Sequence, residues 1–336
     1  MLHSANQARF GSRRRTAISF VWLGCALLGC ASVLVGNCGC QPLRVSTALD
    51  RWRPSNDRDW KPEQAVLPFA EIDGSHYTLR NVRDCEYLSA ENFVVKYLDR
   101  SLDLSQIQTV DFVVVPFKRG SALAHTMLSF GMDDGSYLGV SVEVRKEKGE
   151  TYNPLAGMVN KYELMYVVGE ERDLIPLRTE HYDCDVYVFP TKAQPQQAQQ
   201  LFADMMGRLN KLAAEPEFYH SITNNCTSNI KDHVNKISPH RIRENAWQVL
   251  LPGFSAEYAH QIGLVENRIP YEDLESIAYV NERVKANLND PNFSQAIRGN
   301  RYLIDRAIVR QHQRQSTLHP GQRTAVADRG TPWLAR

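Results

Sequence analysis

Ala124-His125-Thr126-Met127-Leu128-Ser129-Phe130-Gly131-Met132-Asp133-Asp134-Gly135-Ser136-Tyr137-Leu138-Gly139-Val140-Ser141-Val142-Glu143-Val144-Arg145 reads as two strands joined by a tight turn. The flanks are rich in Val, Leu, Phe and Tyr, and the Gly131 to Gly135 stretch between them holds glycines and aspartates that turn the chain. In an antiparallel hairpin centred near Asp134, His125 faces Glu143. Side chains alternate with period two, so Ser141, Glu143 and Arg145 share the face of His125. Which of Glu143, Ser141 or another polar group orients the imidazole depends on a register that the sequence leaves open.

Outward from this hairpin, further strand-like runs occupy residues 108–117, 162–169, 174–178 and 185–189. Together they predict a mainly antiparallel sheet. The period then changes. Residues 195–212 place Ala198, Leu201, Phe202, Met205, Leu209 and Leu212 at helical spacing behind a leading proline. Residues 226–237 follow as a helix entered through Thr223-Asn224-Asn225, and 247–264 and 271–288 read as helices with Pro252-Gly253 and Pro270 as breaks. The expected class is α+β, an antiparallel sheet with packed helices.

Arg13, Arg14 and Arg15 precede an uncharged run over residues 16–40, the pattern of a secretory signal or a signal anchor. Within it Leu27-Leu28-Gly29-Cys30 resembles a lipobox. The body is therefore expected outside the cytoplasm, tethered to the membrane. Residues 1–45 are assigned to this segment, and 46–80, with Trp52, Trp60 and several prolines, to an extended lead-in packed on the domain. Residues 81–240 form the core, 241–310 a helical extension and 311–336 a basic tail expected to be disordered.

The 336 residues carry 39 basic against 38 acidic side chains, and a net charge of +1 argues against a nucleic-acid partner. No phosphate loop, dinucleotide fingerprint, zinc-protease helix or serine elbow is present, and no cofactor or metal is expected. His220, Cys226 and His233 are split between a loop and a helix and make a poor metal set.

Of seven cysteines, only Cys85, Cys184 and Cys226 lie in the body, so one at least stays unpaired. Cys226 opens a helix after a polar loop, where unpaired N–H groups favour the thiolate and can hold an oxyanion. A base must come from elsewhere, and His125 is the candidate, with a carboxylate opposite it as orienting group. The competing reading makes Cys226 a packing residue in an inert module that binds a cell-envelope ligand or partner.

The chain resembles the Lnb N-terminal periplasmic domain family in Asn81-Val82-Arg83, Ala124 to Gly131, Ser141 to Glu150, Tyr162-Glu163-Leu164, Glu171-Arg172-Asp173, Thr223-Asn224-Asn225-Cys226-Thr227, Phe293-Ser294 and Ile297-Arg298. The resemblance implies a circularly permuted papain-like core of the NlpC type, with the histidine strand ahead of the cysteine helix. It implies Cys226 as nucleophile and His125 as base, with Glu143 third on geometry. It also implies acyl transfer on lipoproteins of the intramolecular transacylase kind, with peptidoglycan hydrolysis as the alternative chemistry. Asn224, Asn225, Ser141 and Arg145 are the expected substrate and oxyanion contacts, and Arg145, Lys148 and Arg172 are possible headgroup ligands. Cys85 and Cys184 depart from the family pattern and would form a structural disulfide if they pair.

Overall fold

The computed structural model describes residues 53–118 and 120–317. The expected N-terminal segment and the tail beyond Thr317 lie outside the described residues. Ten strands and nine α-helices are present among them. The strands are β1 (Phe69–Asp73), β2 (His76–Arg83), β3 (Glu86–Tyr87), β4 (Phe93–Val94), β5 (Tyr97–Asp103), β6 (Ile107–Pro116), β7 (Ala124–Met132), β8 (Tyr137–Arg145), β9 (Glu163–Glu170) and β10 (Tyr187–Pro190). The helices are α1 (Glu171–Pro176), α2 (Pro195–Ala214), α3 (Cys226–Ile237), α4 (Trp247–Leu250), α5 (Ser255–Gln261), α6 (Tyr271–Ala278), α7 (Asn281–Ala286), α8 (Phe293–Ala296) and α9 (Tyr302–Thr317).

Eight strands make one sheet in the order β1-β2-β9-β8-β7-β6-β10, with β5 also paired to β2. Every pairing is antiparallel except β2 with β9, so the class is α+β with a mixed, mostly antiparallel sheet. The central hairpin has the register Met127↔Ser141 through Gly131↔Tyr137, centred on Asp134.

Alternation splits the core in two. Phe112, Val114, Leu128, Phe130, Val140 and Val142 join α2 and α3 on one side. On the other, Val113, Val115, Met127, Met165 and Val167 pack with Leu174, Ile175, Phe293 and Ile297. The amphipathic spacing of α2 is realised, with Ala198, Leu201, Phe202, Met205 and Leu209 all buried.

Four expectations are corrected. Residues 174–178 are not a strand: α1 runs through Leu174 to Pro176 and continues as a π-helical turn, Leu177–His181. A short apolar run fits a buried helix as well as a strand, and here long-range ion pairs decide. Asp173 takes two bonds from the Arg83 guanidinium at 2.9 and 2.8 Å, and Glu171 is held by Arg298. The lead-in is not an arm apart from the sheet, because β1 lies inside it and β2 begins there. Finally, α9 continues to Thr317, past the residue where the tail was expected to begin. The 271–288 stretch is also divided, into α6 and α7.

Candidate active site

The loop before α3 is built to start the helix at Cys226. Asn225 is the N-cap: its side chain accepts from the Ser228 N–H at 2.9 Å, and its own N–H donates to Ser228 Oγ at 2.8 Å, a reciprocal capping pair. Its Nδ2 donates to Ser221 O at 2.8 Å. The Asn224 Nδ2 donates to Phe218 O at 2.9 Å, while Asn229 donates to Asn224 Oδ1 at 2.9 Å. Both carboxamides make these bonds within the loop and its helix, and Asn225 also borders the cavity that holds Cys226. The N–H groups of Cys226 and Thr227 fall in the first turn, where an α-helix offers no carbonyl partner.

On the hairpin, pairing of β7 with β8 ends at Met127↔Ser141, two residues short of His125. His125 Nε2 lies 2.7 Å from Ser141 Oγ, and Ser141 donates to Glu143 Oε1 at 2.7 Å. Because the Ser141 hydrogen is given to the carboxylate, Nε2–H is the donor to Ser141. That leaves Nδ1 as the basic nitrogen. Glu143 Oε1 is itself 3.4 Å from His125 Nε2 and accepts from Arg178 Nη2 at 2.6 Å.

The two halves meet. His125, Glu143, Arg178, Asn225 and Cys226 line one cavity of about 290 Å³, which Lys146 also borders. The neighbours of the pair are bonded to each other, Thr126 Oγ1 to Thr227 Oγ1 at 3.1 Å. Cys226 is 7% exposed. Burial alone pushes its thiol up, but the hydrogen bond and charge of His125, with help from Thr126, outweigh this and bring it down to about 7. Burial likewise pushes His125 down, and the Glu143 carboxylate and the cysteine overcome it, raising the imidazole to about 9. Burial works against the Glu143 charge too, yet His125 and Arg178 hold that carboxyl well below its usual range. The three groups form one charge-coupled unit, imidazolium between thiolate and carboxylate.

The other described cysteines behave differently. Burial pushes Cys85 up to about 11 and raises Cys184 as well, and both are free thiols in this structure.

Arg145 is not at the site. It is buried and donates to Gln64 O, Ala65 O and Asn56 Oδ1, and its guanidinium stands 4.2 Å over the Trp60 ring. Its alternation with His125 was read correctly, but it lies one strand turn further on, where the lead-in crosses. Lys148 pairs with Asp59 at 2.7 Å, and Arg172 donates to the Leu288 and Pro291 carbonyls and covers Phe293, so neither is presented as a headgroup ligand. Arg178 is the residue that the sequence reading missed. Placed on a strand, it had no route to Glu143, and only the π-helical turn delivers it.

Among the described residues no group of three His, Cys, Asp or Glu side chains is arranged for a metal. His220 accepts N–H groups of its own loop through Nδ1, and His233 lies between Tyr166 and Asp204.

Residues 93–253 match the family model of the Lnb N-terminal periplasmic domain. That segment is an Lnb N-terminal periplasmic domain. It contains β7, β8, the π-helical turn and the first half of the helical set, and therefore every residue of the cavity described above. The family places the Lnb domain on the extracytoplasmic side. No curated protein and no solved structure matches the chain. Among the described residues no helix is long and apolar enough to cross a membrane.

Proposed function

We propose that this chain is a membrane-tethered, extracytoplasmic thiol acyltransferase or hydrolase that acts on a lipoprotein acyl chain or another cell-envelope ester or amide. The observation that carries the reading is the convergence of His125 and Cys226, the first residue of α3, in one cavity, with the thiol brought down and the imidazole raised. The order of the parts, histidine strand before cysteine helix, supports a circularly permuted papain-like core of the NlpC type.

In the proposed reaction Cys226 Sγ gives its proton to His125 Nδ1, and the thiolate attacks the acyl carbonyl carbon. The oxyanion forms against the first-turn N–H groups of α3. When the ester C–O bond breaks, His125 returns the proton to the departing alkoxide, leaving a thioester on Cys226. An amine then attacks the thioester and gives its proton to His125, the C–S bond breaks, and the products are an amide and the free thiol. With water as acceptor the products are a carboxylic acid and the thiol. Glu143, through Ser141, keeps the imidazole in the tautomer that leaves Nδ1 basic, and Arg178 keeps Glu143 ionised.

A lipoprotein amine as acceptor follows the family resemblance. The test is the full chain in proteoliposomes with a diacylated lipopeptide, read by mass spectrometry of both peptide and protein. The expected result is transfer to the peptide amino terminus, an acyl mass on Cys226 in short reactions, and no turnover in Cys226→Ala or His125→Ala. Turnover in either variant would overturn the assignment. Cleavage of peptidoglycan peptides without lipopeptide acylation would move the reading to hydrolysis.

A further inference from the structure

Four loops ring the mouth of the cavity: the β6–β7 connection, residues 152–159, residues 219–223 and residues 247–254. They are fastened to one another. Gly253 N–H donates to Ala122 O at 2.9 Å, Ser221 N–H donates to Gly157 O at 3.1 Å, and the Trp247 and Phe254 rings lie 5.2 Å apart. The close approaches admit no side chain: a Cβ on Gly253 would sit 2.0 Å from Ser121 O, and one on Gly157 would sit 2.3 Å from Ser221 Oγ. Phe117, Leu123, Pro154 and Leu250, from three of these loops, also line the cavity that holds His125 and Cys226.

This rim is apolar and turned to solvent. Leu155 is 74% exposed, Val159 71% and Trp247 52%. More than half of the exposed large apolar side chains among the described residues stand in these four loops. Such concentration is not the scatter expected of an ordinary water-facing surface. None of the four loops carries an acidic residue, while exposed Lys118 lies beside Phe117, and exposed Arg241 and Arg243 lead into α4. Aliphatic side chains and an exposed tryptophan in loops free of carboxylates, with Lys118, Arg241 and Arg243 beside them and the neighbouring Glu244 paired to Lys231, fit an anionic bilayer surface. The chain supplies a second reason. The thirteen steps from Cys40, the last residue of the 16–40 run, to Arg53 reach about 45 Å at full extension, so an inserted run would hold the domain near the bilayer.

We infer that this rim is the membrane-docking face of the domain, seated on the lipid headgroups with the mouth of the Cys226 cavity toward the acyl chains. The inference rests on the reading of Cys226 as the reacting group, and it supplies that reading with a route by which a lipid-borne ester reaches a buried thiol without crossing water.

The test is fluorescence of the full chain reconstituted in vesicles of phosphatidylethanolamine and phosphatidylglycerol, with and without brominated acyl chains. A Trp22→Phe background removes the tryptophan of the apolar run. Bromolipid is expected to quench the Trp247 emission, so that the quenched component is lost in Trp247→Phe and reduced in Leu155→Asp/Val159→Asp. Cys226→Ala is expected to leave it in place, which separates docking from catalysis. Equal quenching with and without Trp247 would overturn the proposal. Protection of Trp247 from aqueous iodide without bromolipid quenching would do the same, and would assign the face to a second copy of the chain.

Discussion

Thr126 and Thr227 share a hydrogen bond of 3.1 Å between their hydroxyls, and each stands one residue after a member of the His125 and Cys226 pair. The bond pins the first turn of α3 to β7 at the point where imidazole and thiol must meet. Thr126 also helps to hold the thiol down. Replacing both hydroxyls by methyls in Thr126→Val/Thr227→Val keeps volume near constant and removes about 1 kcal/mol of hydrogen bonding. The expected outcome is a three- to tenfold slower alkylation of Cys226 at neutral pH, with the folded state retained by circular dichroism.

The pair itself dictates a pH profile. The thiol is held at about 7 and the imidazole at about 9, so the thiolate–imidazolium form fills between these values. Alkylation of Cys226 should rise as pH passes about 7, well before Cys184 or Cys85, both of which burial pushes up, begins to react. In His125→Ala the burial of Cys226 remains and its compensation is gone, so the thiol moves above its ordinary value. The rate at pH 7 is then expected to fall about tenfold or more. An unchanged profile, followed by mass spectrometry of labelled peptides, would dissolve the pair.

Much of this was legible in the chain. A turn of Met-Asp-Asp-Gly between two strand-like runs put the hairpin centre near Asp134 while leaving the register open, and the observed Met127↔Ser141 pairing is centred there. The capping chemistry of Asn225 and the period of α2 were equally readable, because each depends on neighbours within a few residues. What was not legible depended on partners far away. The apolar run at Leu174 becomes helix because Asp173 and Glu171 are anchored by Arg83 and Arg298, about 90 residues before and about 130 after in the chain. With that helix misread, Arg178 had no place at the site.

Arg178 offers its own test. Its Nη2 holds Glu143 Oε1 at 2.6 Å and its Nη1 returns to Leu174 O at 2.6 Å, so it braces the carboxylate against the turn that carries it. Removing it in Arg178→Ala leaves a half-buried carboxylate to His125 and the Ser141 hydroxyl, at a cost of about 2 kcal/mol in stability. Glu143 then titrates at higher pH, and the acid limb of acyl transfer is expected to move up with it. Arg178→Lys should restore stability better than it restores the paired link to Glu143 and the Leu174 carbonyl, and a pH–rate profile identical to wild type in both variants would show that Arg178 is only structural.

Arg145 separates the two readings of the β8 face most sharply. As a headgroup ligand, its loss would raise KM and leave folding alone. Its bonds to Gln64 O, Ala65 O and Asn56 Oδ1, and its stacking on Trp60, make it instead the clasp that holds the lead-in against the end of β8. Burial pulls its guanidinium down to about 10 against the opposing charge of Glu163. Arg145→Ala strands those carbonyls and opens a void under Trp60, so a loss of about 3 kcal/mol is expected in denaturant unfolding. Lead-in residues 53–66 should then be cleaved first in limited proteolysis, while the KM of the protein that remains folded stays at the wild-type value.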